Sequence, residues 1–247
     1  FDSDLVEFND KNILINIHGY PHPSGNQYPN LVNAACYLFS KELVIQVMKN
    51  IEIDSFLDIA KDIFPILLKR NLKILGYQTS EFIKDMGTPE RLKKLENILY
   101  SGKLKNVGSN NPKNVIFVDR DGCLNKEKGR ITNENDLELL DGSAKAILNF
   151  NNASIPVICL TNQPVIARGD ITMAKLDKIH ARLDFLLGNE GAFIDKLYYC
   201  PHHPDKGFDG EILKYKIDCN CRKPNVGMIF QAAQENAIDL GKSWLIG

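Results

Sequence analysis

Asp119 and Asp121 are the residues of this chain whose types and spacing most directly suggest chemistry. They follow the apolar run Val115–Val118, within the segment DRDG. Two carboxylates two residues apart can face one pocket when the chain turns at Gly122. Such a pair suits a nucleophile beside a separate acid/base, with a Mg²⁺ ion screening their mutual repulsion. By itself, however, a DRDG segment is more often a solvated turn.

Two further polar segments favour the catalytic interpretation. The apolar run Pro156–Leu160 leads into Thr161–Gln163, whose hydroxyl and amide groups can bond to phosphoryl oxygens. Arg222 and Lys223 lie close to the start of a predicted helix, so two cations and a partial positive charge can converge on an anion. Each segment alone could be a cap or a surface charge. Together they favour phosphoryl transfer, which needs an in-line nucleophile and neutralisation of charge on the equatorial oxygens.

A cluster of Cys and His residues precedes this cationic pair. Cys200 and His202 flank one residue, and Cys219 and Cys221 flank another. Three thiolates and one imidazole form a closed tetrahedral zinc site, which can fix a loop too polar to fold alone. The alternatives are that His203 replaces His202, or that these are two unrelated pairs of reduced residues. We expect a structural Zn²⁺ and a reducing compartment rather than a disulfide framework.

Composition excludes several classes of protein. The 247 residues include 30 Lys plus Arg and 31 Asp plus Glu, for a net charge of -1. This balance gives no general reason to expect a nucleic-acid or anionic-membrane partner. No apolar run approaches the roughly 20 residues of a membrane span, and the first residues do not have the pattern of a signal peptide. We therefore expect a soluble, cytoplasmic protein that acts on a small molecule; a homo-oligomer stays open.

Short apolar strands alternate with helices after residue 113. The predicted strands are Asn114–Val118, Pro156–Leu160, Leu197–Tyr199 and Trp244–Ile246. The predicted helices are Ser143–Phe150, Thr172–Leu187 and Val226–Asn236. Within the second helix, an apolar stripe comprises Leu176, Ile179, Leu183 and Leu186. This alternation predicts an α/β fold with a parallel, doubly wound sheet and a site at the carboxyl ends of its strands.

The first part of the chain is less regular. Its predicted strands are Asn12–Ile17 and Leu72–Gln78, and its predicted helices are Leu43–Met48, Ser55–Lys69 and Pro89–Leu99. Pro65 should interrupt the middle helix, and Thr88 should cap the last one. The segment SGKLKNVGSNNPKN has almost no large apolar residues. We therefore predict a linker at 101–113 between domains at 1–100 and 114–247.

The motifs of the second part together resemble one group of enzymes. DRDGCLN, TNQPVIARG, CPHHP, CNCRKPNVGM and WLIG are similar to the heptose 1,7-bisphosphate phosphatase and histidinol phosphatase group of the haloacid dehalogenase (HAD) superfamily. This resemblance covers about 114–247 and implies a Rossmann-like phosphatase domain. It implies that Asp119 forms an aspartyl phosphate and that Asp121 protonates the leaving oxygen and later activates water. Both would hold Mg²⁺, while Thr161 and Lys223 would steady the transferring phosphoryl group.

The resemblance also implies substrate contacts, and it has three departures. The implied contacts are Arg120, Glu127, Lys128, Gly129, Arg130, Asn162, Gln163, Pro164 and Arg222. The family's Gly-Tyr pair is Gly129-Arg130 here, and its Ser-Gly pair after TNQ is Pro164-Val165. The family also places a metal-binding Asp directly after the position of Gly247. We therefore expect an incomplete metal site, weak or absent activity in this chain, and a longer parent protein.

The first part has a second resemblance, over about 2–100. NLVNAACYLFS and KDMGTPER are similar to the carboxyl half of sugar-phosphate nucleotidyltransferases of the mannose 1-phosphate guanylyltransferase kind. This likeness implies that Asn33 contacts the sugar and that Asp85 holds Mg²⁺. From spacing alone, Asp85 is almost as readily a turn residue before Thr88. The family's Gly-rich nucleotide loop is not present, so we expect no nucleotidyl transfer from this chain.

The two resemblances combine into one functional expectation. The chain is expected to belong to a bifunctional enzyme of activated-heptose synthesis, whose phosphatase part removes the C7 phosphate of D-glycero-D-manno-heptose 1,7-bisphosphate. The small phosphorylated sugar would be its partner, and Mg²⁺ its cofactor. Histidinol phosphate is the alternative substrate. A hypothesis of another class is a non-catalytic fragment that acts as a scaffold or in dimerisation.

Overall fold

The computed structural model divides the chain into two compact units, Phe1–Thr79 and Ser80–Gly247. It describes residues 3–9, 11–23, 26–28, 30–49, 56–79, 82–101, 104, 111–207 and 209–247. The division lies earlier than the predicted linker at 101–113, most of which is outside the described residues. Among the described helices, none has the length and apolar character needed to cross a membrane.

The first unit contains one antiparallel strand pair. Its elements are β1 (Leu5–Phe8), β2 (Leu14–His18), α1 (Lys41–Met48), a π-helix (Ile59–Ile63) and α2 (Phe64–Lys69). Ser40 caps α1, because its side chain accepts from the Leu43 N–H. Apolar residues from both strands and from α1 and α2 form the core. They are Val6, Leu14, Val47, Phe64 and Leu67.

Three predictions for this unit need correction. The strand β1 was not predicted, and the predicted helix Ser55–Lys69 begins only at Ile59, as a π-helix that gives way to α2 next to Pro65. Residue 55 itself lies outside the described residues. The predicted strand Leu72–Gln78 forms only one isolated bridge, between Leu75 and Ile13. Leu72 and Ile74 pack against the core of this unit, whereas Leu75 is 74% exposed, so one bridge and half-buried packing hold the segment without a continuous strand.

The second unit contains the predicted parallel sheet. Its strands are β3 (Ile116–Val118), β4 (Val157–Asn162), β5 (Lys196–Cys200) and β6 (Trp244–Ile246), in the order β5-β4-β3-β6. All three pairings are parallel. Its α-helices are α3 (Pro89–Tyr100), α4 (Ser143–Asn152), α5 (Met173–Asn189) and α6 (Gly227–Asn236). The side chain of Thr88 caps α3, as predicted.

Successive residues of the central strands point to opposite faces of the sheet, and each face has its own core. Val118 and Cys159 pack with residues of α4 and α5, whereas Phe117 and Ile158 pack with residues of α6. The sheet is therefore covered by helices on both faces, which confirms the doubly wound prediction. In α5, the fourth fully buried residue of the apolar stripe is Leu187 rather than the predicted Leu186.

Candidate active site

The carboxyl ends of β3 and β4 bring the predicted nucleophile and a cation together. Asp119 directly follows β3, and its backbone N–H donates to the Ile246 carbonyl at 3.0 Å. The Lys223 ammonium lies 2.6 Å from Asp119 Oδ1 and donates to the Leu160 carbonyl at 3.0 Å. Both side chains remain partly exposed, Asp119 at 31% and Lys223 at 27%. A charged pair that still faces solvent can receive an anionic substrate.

Asn162 fixes the backbone of Lys223. Its side-chain amide donates to the Lys223 carbonyl at 3.1 Å and accepts from the Lys223 N–H at 3.0 Å. Asn162 was predicted to contact substrate, which stays a prediction, and in the structure its side chain bonds to the Lys223 backbone. We interpret Asn162 as the residue that positions Lys223 over Asp119.

Asp121 is held by three side chains. Arg120 donates through Nε and Nη2 at 2.8–3.1 Å, Asn125 donates at 3.0 Å and Gln163 donates at 2.9 Å. The Arg120 side chain is only 1% exposed. The structure therefore places Arg120 beneath Asp121, rather than at the surface where a substrate contact was expected. Its role in this arrangement is to fix the orientation of the second carboxylate.

Gln163 links Thr161 to Asp121. Its amide nitrogen donates to Thr161 Oγ1 at 2.7 Å as well as to Asp121. Gln163 and Thr161 are both buried. Because the Thr161 oxygen accepts this bond, its O–H remains a donor for a phosphoryl oxygen. Gln163 was also an expected substrate contact, which stays a prediction, and in the structure its side chain joins Thr161 to Asp121.

Asn125 is the residue of this group that sequence reasoning missed. Its side chain is fully buried and donates to Asp121 and to the Lys126 carbonyl. The Gly122 N–H donates to the Asn125 carbonyl at 2.8 Å, which closes the turn after the two carboxylates. Gly122 has a φ of +79°, a conformation that favours glycine. A signal was present in the sequence, because Asn125 is a polar residue directly after the apolar Cys123 and Leu124 at the end of DRDGCLN.

The four predicted zinc ligands come together. Ligand atoms of Cys200, His202, Cys219 and Cys221 lie within 4.8 Å of one another, and the neighbouring pairs are 3.1–3.6 Å apart. These separations approach the edges of a tetrahedron with Zn–S bonds of about 2.3 Å and a Zn–N bond of about 2.0 Å. Burial lowers the pKa of His202, which favours the neutral imidazole that binds metal. The donor set therefore fits a closed metal site.

His203, the alternative ligand, points elsewhere. Its Nδ1 accepts from the Asp205 N–H at 3.2 Å, and its Nε2 lies 3.4 Å from Arg168 Nη2. The zinc loop, defined as residues 200–221, leads directly into Arg222. Arg222 donates to the carbonyl of His202 at 3.2 Å. The metal site and the cationic pair are thus parts of one continuous segment.

The loop expected to recognise substrate is held by a hydrogen bond within the loop and by ion pairs to Glu138 and Asp170. Glu127 accepts from the Gly129 N–H at 2.6 Å, and Lys128 pairs with Glu138 at 2.5 Å. Arg130 Nη1 donates to both carboxylate oxygens of Asp170 at 3.1 Å. Pro164 begins the facing loop, in which its carbonyl accepts from the Arg168 N–H at 2.9 Å.

The two site residues expected in the first part have local partners. Asp85 pairs with Arg91 and accepts from the Gly87 N–H at 2.7 Å. Among the described residues, Asp85 belongs to no group of three or more potential metal ligands. Asn33 exchanges hydrogen bonds with the Tyr37 hydroxyl at 2.8 and 3.0 Å. The expected sugar contact and metal site at these two residues stay predictions.

Relatives with known names match this chain. No family model matches it. Over 133 residues, which are 54% of this chain and 69% of the relative, it is 35% identical to the D-glycero-beta-D-manno-heptose-1,7-bisphosphate 7-phosphatase of Photorhabdus laumondii. It is 33% identical to the protein of the same name from Escherichia coli K12, again over 133 residues and 68% of that relative.

A solved structure is similar as well. The HAD-like phosphatase of Mesorhizobium loti is 32% identical, with a TM-score of 0.51 over 54% of this chain and 62% of that chain. The chain thus spans about two thirds of the curated relatives, and the nucleotidyltransferase resemblance of its first part stays a prediction. With its parallel sheet and its pair of aspartates after β3, the chain belongs to the heptose 1,7-bisphosphate phosphatase family of the HAD superfamily.

Proposed function

We propose that the protein hydrolyses a phosphoric monoester, the C7 phosphate of D-glycero-D-manno-heptose 1,7-bisphosphate. The observation that carries this proposal is the 2.6 Å pair between Lys223 and Asp119 at the carboxyl end of β3. This pair supplies a carboxylate nucleophile beside a cation that can neutralise phosphoryl oxygens. The names of the relatives support the choice of sugar.

The first half of the proposed reaction transfers the phosphoryl group to the protein. A carboxylate oxygen of Asp119 attacks phosphorus, and the bond between phosphorus and the sugar C7 oxygen breaks. That oxygen takes a proton from Asp121, and the dephosphorylated sugar leaves. Lys223 and the Thr161 O–H contact the remaining phosphoryl oxygens. In the second half, Asp121 removes a proton from water as the water oxygen attacks phosphorus. The bond between phosphorus and the Asp119 oxygen breaks, which releases inorganic phosphate and restores the Asp119 carboxylate.

Proton delivery by Asp121 requires a rearrangement. Both of its carboxylate oxygens accept hydrogen bonds, from Arg120, Asn125 and Gln163. A carboxyl group in this position has no oxygen free to carry a proton toward substrate. We therefore expect at least one of these bonds to open when substrate binds.

Asp119 and Asp121 are the expected Mg²⁺ ligands, and they fit the ion unequally. Mg²⁺ prefers oxygen ligands and commonly keeps several waters, so a single carboxylate can hold it. Asp119 meets this requirement, whereas the Asp121 carboxylate must first leave Arg120 or Gln163. When bound, the ion neutralises charge on the phosphoryl oxygens. We propose Zn²⁺ as a structural ion in the Cys/His site, because its four ligands leave no coordination position open.

The phosphatase proposal is tested by phosphate release. The purified natural protein would be given Mg²⁺ and, in separate reactions, the alpha and beta heptose 1,7-bisphosphates and histidinol phosphate. We expect release from a heptose anomer, loss of release in Asp119→Asn, and no change in Asp141→Asn, which alters an exposed carboxylate of the same unit. Release from histidinol phosphate alone would support the rival substrate. No release from any of the three would contradict the proposal.

The non-catalytic alternative predicts a different result in cells. If Asp119→Asn left the cellular function intact, a scaffold or dimerisation role would be favoured over the enzyme. Loss of both function and phosphate release in this variant, with an unchanged melting temperature, would favour the enzyme.

We also propose that the natural protein couples this step to nucleotidylation of the remaining 1-phosphate. The support is the resemblance of NLVNAACYLFS and KDMGTPER to sugar-phosphate nucleotidyltransferases. A cytoplasmic location suits both reactions and the reduced Cys/His site. Formation of a nucleotide-linked heptose from the 1-phosphate and a nucleoside triphosphate tests the coupling, and its absence from the natural protein would refute it.

A further inference from the structure

Two loops that begin at the catalytic carboxylates meet at an ion pair. The first, residues 125–130, is tied to the turn after Asp121 by the bond from the Gly122 N–H to the Asn125 carbonyl. The second, residues 163–170, is tied to Asp121 by the Gln163 side chain. Arg130 and Asp170 join the far parts of these loops through two contacts of 3.1 Å. The ion pair therefore links two loops that are each attached to Asp121 or to the turn after it.

This ion pair is easy to separate. The Arg130 side chain is 54% exposed and that of Asp170 is 23% exposed. Exposed ion pairs contribute little to stability, because water and salt screen them. A guanidinium that donates to a carboxylate can donate to a phosphate in the same way. Arg130 can thus exchange its partner without loss of the fold.

The proposed substrate supplies a competing anion. A sugar bisphosphate carries a second phosphate at the end of the molecule remote from the reacting one, while Lys223 is placed beside Asp119 for the reacting phosphate. In the first loop, Lys128 is already paired with Glu138. Arg130 is the cation of that loop whose present partner belongs to the facing loop. Arg130 also stands where the family has Tyr, so a cation at this position is specific to this chain.

We propose that Arg130 is a specificity-determining residue, which exchanges Asp170 for the second phosphate of the substrate. This inference rests on the proposed bisphosphate substrate. Asp170 then acts as a competitor that occupies Arg130 when no doubly phosphorylated sugar is bound. The two residues must therefore have opposite effects on substrate affinity.

The test compares a bisphosphate with a monophosphate. KM and kcat would be measured for heptose 1,7-bisphosphate and for heptose 7-phosphate in the parent protein, Arg130→Ala, Arg130→Lys and Asp170→Asn. Glu134→Gln, which breaks the Lys175–Glu134 ion pair of 2.5 Å, serves as the control. We expect Arg130→Ala to raise KM for the bisphosphate about tenfold, equivalent to about 1.4 kcal/mol, with little change for the monophosphate.

The other variants give the discriminating results. Arg130→Lys should keep part of the preference for the bisphosphate, and Asp170→Asn should lower KM for it. If Arg130 and Asp170 only hold the two loops together, Arg130→Ala and Asp170→Asn will both raise KM, and to a similar extent for the bisphosphate and the monophosphate. That result, or an unchanged preference in Arg130→Ala, would overturn the inference.

Failure of the proposed function can be recognised separately. Calorimetric binding of the bisphosphate and of the monophosphate to the same variants does not depend on phosphate release. Opposite shifts in bisphosphate affinity for Arg130→Ala and Asp170→Asn, without phosphate release, would retain the inference and refute the phosphatase. Phosphate release with identical discrimination in every variant would retain the phosphatase and refute the inference.

Discussion

Replacement of Asn162 by Ala tests whether hydrogen bonds to Lys223 support catalysis. The change removes two bonds to the Lys223 backbone, of 3.1 and 3.0 Å. Each such bond contributes about 0.5–1.5 kcal/mol, so the pair contributes about 1–3 kcal/mol. If this free energy holds Lys223 in place for the transition state, kcat should fall roughly 5- to 150-fold, at about 1.4 kcal/mol per tenfold. KM should change less, because Asn162 itself need not touch substrate.

Asn151→Ala is a matched control for this experiment. Asn151 makes the same pair of bonds to the backbone of Phe193, both of 3.0 Å, at the end of α4. Kinetics of phosphate release and the melting temperature would be measured for both variants. We expect similar losses of stability and a loss of kcat only in Asn162→Ala. The reasoning is refuted if the two variants lose stability equally and kcat is unchanged in both, or if KM alone rises in Asn162→Ala.

Three further predictions concern the metal site, pH and loop packing. Cys219→Ser should lower the zinc content from about one ion per chain and lower the melting temperature. Cys36→Ser, at an exposed position, should change neither quantity. Elemental analysis and thermal unfolding check both results. Burial lowers the pKa of His180 from 6.5 to about 3, so between these values the unfolded chain binds a proton that the folded protein does not. Stability should therefore fall as pH falls through this range, by up to about 1.4 kcal/mol per pH unit, and urea unfolding should show a smaller fall in His180→Gln. Gly169→Ala should be more destabilising than Gly191→Ala, although both glycines have a φ of +75°. Only at Gly169 would the new carbon lie 2.0 Å from a carbonyl oxygen of the zinc loop. Equal melting temperatures of the two variants would contradict this close approach of the two loops.

The sheet of the second unit was predictable from the sequence because Ile116–Val118 and Val157–Leu160, in its central strands, are uninterrupted apolar runs. Ile116–Val118 and most of Val157–Asn162 are buried, and polar residues begin where the strands end. Strands of this kind have one stable environment, a sheet covered on both faces. The position of Asp119 followed from this rule.

The clustering of the four Cys and His side chains was predictable for a different reason. Thiolates and imidazoles in closely spaced pairs have few other uses in a polar loop, and Cys200 and Cys219 approach within 3.5 Å although 19 residues separate them. The choice of His202 over His203 depended on family resemblance, and the structure supports it through the bonds of His203 to other partners.

The directions of individual side chains were not predictable. Asn162 and Gln163 were expected to contact substrate together, yet one bonds to Lys223 and the other to Asp121. Neighbouring residues at the end of a strand point to opposite sides, so two adjacent amides serve two different groups. Arg120 illustrates the same limit, because residue type does not show that a long cation will bend back onto the next residue.

In the first unit, the strand predicted at Leu72–Gln78 was wrong because the sequence does not show how far a segment is paired. Leu72–Gln78 contains enough apolar residues for a strand, but an extended segment becomes a strand only where a partner pairs with it along its length. Here Leu14 N–H donates to the Ile74 carbonyl and Gly76 N–H donates to the Asn12 carbonyl, both at 2.8 Å. Pairing at two points leaves Tyr77 92% exposed. Such long-range partners are not encoded in a local pattern.

The pairing of β3 with β6 has a consequence for synthesis on the ribosome. Val115 N–H donates to the Ser243 hydroxyl across 128 residues, and the Asp119 N–H is fixed by the Ile246 carbonyl. At about 5–20 residues per second, translation of the intervening chain takes roughly 6–26 s. Throughout that interval the apolar central strand lacks one neighbour, and the Asp119 N–H lacks its hydrogen bond to the Ile246 carbonyl. The nascent polypeptide therefore keeps one edge of an apolar strand unpaired until β6 has been synthesised, and such an edge is prone to aggregation.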